Sequence, residues 1–183
     1  MLNFKFHIDK AIASILYITK VLQEKTDKRS DFHKVFKILF FADQKHLSRY
    51  GRPVVGDYYV AMRHGPVPSR IYDILKSIRG DSPFSGDEFE KYFAVDRHFI
   101  KPRTTPDMEM FSDSDLECLE ESINENFNLD FFELRDKSHG RAYQKATKDD
   151  KISYREMAKE IGTSEEMIKY MMSVSENQQI FMS

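Results

Sequence analysis

Six histidines and a single cysteine are the side chains of this 183-residue chain best suited to metal or nucleophilic chemistry. Asp43 and His46 stand one helical turn apart, so both can reach one ion, yet a closed site needs about four ligands and no HExxH-like pair supplies the others. His139 follows Ser138, and Cys118 has acids nearby in sequence, but neither falls in a nucleophile elbow or a Cys–His pattern that would activate it. The seven glycines are scattered singly and form no cradle for a phosphate. The expectation is a chain with no metal, no cofactor and no active site of its own.

The other chemistry within reach is recognition. Tyr58 and Tyr59 open a short extended run that continues through Met62, Arg63 and His64 to Gly65-Pro66-Val67-Pro68, with Tyr72 one helical turn further on. Glycine and proline fix unusual backbone angles, so such a run holds a shaped surface. Tyr, Met and Arg combine large contact area with few polar atoms to desolvate, the make-up of interface anchors. Tyr58, Tyr59, Met62, Arg63, His64, Pro66, Val67 and Tyr72 are therefore the candidate partner-binding residues. The alternative reading is that these side chains pack a loop onto the neighbouring helix.

The elements that must position them are mostly helical. Ile8, Ala11, Ile12, Ile15, Ile18 and Leu22 recur at helical spacing. From Phe32 to about Tyr50 apolar residues occupy more than one face, which predicts a central helix surrounded by protein, capped by Ser30 or Asp31 and stopped by Gly51 and Pro53. Ser69 is the expected cap of a short helix ending at Gly80. Tyr58 to Arg63, Tyr92 to Val95 and Phe99 to Lys101 have strand composition and predict one small antiparallel sheet. Ser114 with Glu117 predicts a capped helix, and Asp130 starts another. The fold class expected is α+β, mainly α, in two parts: a domain over residues 1–150 and a C-terminal helical hairpin over 151–183, with capping pairs Ser153–Glu156 and Thr163–Glu166 around Gly162.

That hairpin matches the spacing of a helix-turn-helix, with Met157, Ala158 and Ile161 before the Gly162 turn and Ile168 and Met171 after it. Its second helix begins Ser164-Glu165-Glu166, where a recognition helix would face base edges, and only Lys169 is basic. The chain as a whole carries a net charge of −2. Neither favours phosphate backbones, so nucleic acid is not the expected partner. With one cysteine no internal disulfide can form, and no apolar run approaches the length that crosses a bilayer. A cytoplasmic protein without membrane contact is expected, and no segment prescribes an oligomeric state.

The runs Lys37-Ile38-Leu39-Phe40-Phe41-Ala42-Asp43, Gly51-Arg52-Pro53, Gly56-Asp57-Tyr58 and Ala61 to Pro68 with Tyr72 resemble the signature of the Panacea domain, the SocA-like antitoxin domain. The resemblance continues through Ser112 to Leu116 and Ser138 to Ala146. Met62 and Tyr143 stand where members of that family often carry Trp. The resemblance implies a bacterial or phage antitoxin that neutralises a cognate toxin by direct binding. It also implies that the toxin is encoded by an adjacent gene, small alarmone synthetase-like toxins being one frequent class. The rival readings are a transcriptional autoregulator acting through the C-terminal hairpin, an adaptor that hands the toxin to a protease, and an enzyme with an unrecognised hydrolytic centre.

Overall fold

The computed structural model describes residues 2–180. Helix α1 (Ile8–Thr26) is followed by a two-residue strand β1 (Ser30–Asp31) and helix α2 (Phe32–Tyr50). The Asp31 carboxylate accepts from Lys34 N at 2.8 Å and caps α2, and Gly51 closes it at φ 72°, an angle that costs glycine nothing. Val35, Phe36, Ile38, Leu39, Phe40 and Phe41 point in several directions and all are buried, so α2 is the axis of the molecule. It touches α1, α4, α5, α7, α8 and β3.

Strands β2 (Tyr59–Met62) and β3 (Gly65–Pro68) form an antiparallel hairpin, followed by α3 (Ser69–Arg79). A separate hairpin, β4 (Phe93–Asp96) and β5 (Phe99–Pro102), pairs with β1. Two sheets thus replace the one expected, and β2 pairs with the proline-containing run after it instead of with β4 or β5. Proline cannot donate to a ladder, so composition argued against β3 as a strand. Helices α4 (Asp113–Asn126), α5 (Phe131–Ser138), α6 (Arg141–Lys145), α7 (Tyr154–Glu160) and α8 (Glu165–Ile180) complete the described chain.

Several caps fall one or two residues from their expected places. The N-cap of α4 is Ser112, in a reciprocal capping box with Asp115. Pro68 is at the N-cap of α3, and Asp57 stands in for a cap by accepting from Arg70 N at 3.2 Å and Ile71 N at 2.9 Å. Ser153 makes no capping bond, and Ser164, not Thr163, accepts from Met167 N. Two apolar clusters result. One joins α1, the first half of α2, α3 and α4; the other joins Phe4, Phe40, Phe41 and Leu47 to Tyr154, Met157, Ile168 and Met171. The C-terminal hairpin therefore packs onto α2 and shares its core.

Candidate functional site

The β2–β3 hairpin turns at Arg63 and His64, and Gly65 follows at φ 102°, which a residue with a Cβ rarely adopts. A Cβ there would also lie 2.5 Å from Ser138 Oγ and 2.7 Å from Lys37 Cε. Tyr143 Oη donates to the Met62 carbonyl at 2.9 Å and fixes the tip, while its ring stacks on His139 at 4.1 Å. On the outer strand, Pro66 and Pro68 carry no N–H, and the Pro66 carbonyl accepts from Lys37 Nζ at 2.9 Å. This edge offers little to an added strand.

Against the hairpin lie Phe32, His33, Phe36 and Lys37 of α2, Tyr72 of α3 and Phe131 at the head of α5. With Met62, Arg63, His64 and Val67 they line a hollow of about 240 Å³. Its walls are ordered by aromatic contacts. Tyr72 meets Phe32 and Phe36 edge-on, with centroids 6.2 and 5.8 Å apart, and Phe131 stacks on His33 at 4.1 Å while meeting His64 at 5.4 Å. Phe131 is 41% exposed and its neighbour Phe132 61%, so apolar surface continues past the rim.

The floor is charged. Lys37 is 1% exposed, and among the described residues no carboxylate pairs with its ammonium. Burial lowers it from the ordinary lysine range to about 7, with Asp31 opposing from a distance. Burial likewise lowers His33 to about 3, the Lys37 charge adding to the effect, and lowers His139 for the same two reasons. The Nε2 atoms of His33 and His139 are buried and find no hydrogen-bond partner among the described residues.

The groove gathers Met62, Arg63, His64, Val67 and Tyr72 of the eight candidates. Tyr59 is a correction: it is 0% exposed, its ring packs edge-on against Phe40 at 5.1 Å, and its hydroxyl donates to Asp43 Oδ2 at 2.7 Å. No partner can reach it in this conformation. Pro66 is buried too and contributes its carbonyl, whereas Tyr58 is half-buried outside the groove beneath Lys151 and Arg70. Sequence reasoning missed Phe32, His33, Phe36, Lys37 and Phe131. Lys37 had a readable signal, since it interrupts the apolar surround of a helix otherwise enclosed by protein.

Asp43 and His46 do not converge. Burial raises the Asp43 carboxyl to about 7 against the bonds it accepts from Val54 N, at 2.7 Å, and Tyr59. His46 Nδ1 donates to the Arg52 carbonyl at 2.7 Å, and its Nε2 faces Asp115 Oδ1 at 3.2 Å. Asp115 is wholly buried at the head of α4, paired with Lys10 and, at 3.0 Å, with Arg52, and it accepts from Ser112 N at 2.9 Å. Burial opposes its charge, but the bonds from His46, Lys10 and Ser112 outweigh that and hold it well below the carboxylate range. Cys118 is buried in α4, and burial pushes its thiol up to about 12. Among the described residues, no three His, Cys, Asp or Glu side chains are grouped to hold a metal, and no helix is long and apolar enough to cross a membrane.

An α+β domain, mainly helical, thus carries a side-chain-lined hollow in which apolar walls meet a buried lysine and an exposed arginine. The sequence model of the family described as antitoxin SocA-like, Panacea domain, matches residues 35–144, and the chain belongs to that family. The groove-lining residues from Lys37 to Phe131 lie inside the matched segment. No curated protein and no solved structure matches the chain.

Proposed function

We propose that the chain is a cytoplasmic antitoxin that neutralises a cognate toxin, encoded by an adjacent gene, by binding it through the groove between the β2–β3 hairpin, α2 and α5. The observation that carries this reading is the apolar wall of exposed Phe131 and half-buried Tyr72, Val67 and Met62 inside the segment that defines the family. Large apolar side chains around a preformed hollow are the usual hot spots of protein interfaces. Neutralisation then works by occupancy and needs no nucleophile or metal. The domain expected over residues 1–150 carries the binding surface, and α7 and α8 brace α2.

The test pairs toxin titration with a blocked groove. Wild-type protein is expected to abolish toxin activity near equimolar ratio. Val67→Arg, which fills the hollow, is expected to weaken toxin binding by about 2 kcal/mol or more while the melting temperature holds. Undiminished neutralisation by Val67→Arg would place the toxin elsewhere. Lasting inactivation of excess toxin by traces of the protein would mean catalysis.

A further inference from the structure

We propose that the groove is shaped for an acidic segment of its partner, one that inserts an aromatic or aliphatic side chain between Tyr72 and Phe131 and brings an Asp or Glu to Arg63 at the rim. This rests on the reading that the groove is the toxin-binding surface, and names what that surface selects.

The first ground is charge. Arg63 lines the hollow at its rim and Lys37 beneath it, and no Asp or Glu does. Arg63 is exposed at the hairpin turn and enters no ion pair among the described residues. The nearby carboxylates are committed elsewhere. Asp31 caps α2 through Lys34 N, and Asp130 and Glu133 bond each other's main chain in the capping box of α5. Lys37 is sealed beneath the hairpin and acts on an incoming carboxylate only through its field, so Arg63 is the cation that can pair with it directly.

The second ground is shape. At about 240 Å³ the hollow falls below the roughly 300–1,000 Å³ of pockets that enclose small-molecule ligands, so it fits a protruding side chain better than a metabolite. The third is the closed β3 edge, where Pro66 and Pro68 have no N–H and Lys37 occupies the Pro66 carbonyl. Strand addition is thereby disfavoured, and recognition falls to side chains.

Two blocked pentapeptides serve as probes, Glu-Phe-Leu-Glu-Phe and Lys-Phe-Leu-Lys-Phe, titrated into the full-length protein while the Met62 and Val67 methyl and His64 ring signals are followed by NMR. The acidic peptide is expected to move these signals and to bind at least about tenfold more tightly than the basic one, as expected for charge pairs at a partly desolvated rim. Its affinity is expected to fall in Arg63→Glu and as salt rises from about 0.05 to about 0.5 M. Equal or tighter binding of the basic peptide, shifts confined to other surfaces, or no binding by either peptide would overturn the charge inference. Loss of toxin binding in Val67→Arg alongside any of those results keeps the groove and discards its acid preference. Retained toxin binding in Val67→Arg discards the groove reading itself.

Discussion

Two charged clusters are buried on opposite faces of α2, and they are built on contrary principles. Around Asp115, one carboxylate meets Lys10, Arg52 and His46 together with the Ser112 amide and hydroxyl, so the carboxylate's charge is countered and its hydrogen-bond capacity filled. Around Lys37, one ammonium meets a single carbonyl, with further basic side chains as its neighbours. The first cluster ties α1, α2 and the head of α4 together and is complete without a partner. The second sits under an open apolar hollow and is incomplete. A satisfied buried charge is a scaffold feature, and the unmatched one beside exposed aromatics is the feature on which the proposed partner surface rests.

The largest expected effect breaks the matched cluster. Asp115→Ala leaves Lys10, Arg52 and His46 without their counter-charge and is expected to cost about 3 kcal/mol or more in urea unfolding. Because the folded-state pKa of Asp115 is lowered, its contribution is present above the unfolded carboxylate range, near pH 4, and is lost as pH falls below it. The stability gap between wild type and Asp115→Asn should therefore narrow in acid. A Lys37 variant is expected to behave in the opposite way. Lys37→Met removes an unmatched ammonium and should raise stability at pH 6 by about 1–2 kcal/mol. Since the folded-state pKa of Lys37 is depressed to about 7, wild type gains stability as pH rises from there toward the unfolded lysine value, and the advantage of Lys37→Met should shrink between pH 7 and about 10. A loss as large as that of Asp115→Ala would erase the distinction between the clusters.

Tyr59→Phe sharpens the boundary between scaffold and surface. It removes the hydroxyl bonded to Asp43 and should cost about 1–2 kcal/mol in stability, with toxin affinity unchanged below the melting transition. Arg63→Ala should change stability by no more than about 0.5 kcal/mol. Its effect is expected in toxin affinity, about tenfold weaker by calorimetric titration.

Much of this division was legible in the sequence. The apolar surround of α2, its Asp31 cap and its Gly51 stop were all readable, and so was the concentration of Tyr, Met, Arg, Gly and Pro after it. Adjacent residues of a strand face opposite ways, which is why Tyr59 is sealed inside while Tyr58 lies toward solvent, a distinction that composition cannot make without the register. Phe131 belongs in sequence to the short helix that Asp130 starts, and nothing local marks it as a groove wall. The contacts that bring it to His33 and His64 span the fold, and no local pattern encodes them. The same holds for β1, whose two residues gain strand geometry only by pairing with β5.

The central claim is that the groove, and no other face, meets the toxin, and hydrogen exchange on the antitoxin alone and in complex tests it most directly. The account predicts slowed exchange on toxin binding in the amides of residues 60–65 and 67, at the start of α2 and in the first turn of α5, with α8 unchanged. Protection confined to α8 or to the α1–α4 face, with the β2–β3 hairpin exchanging as it does in the free protein, would contradict it.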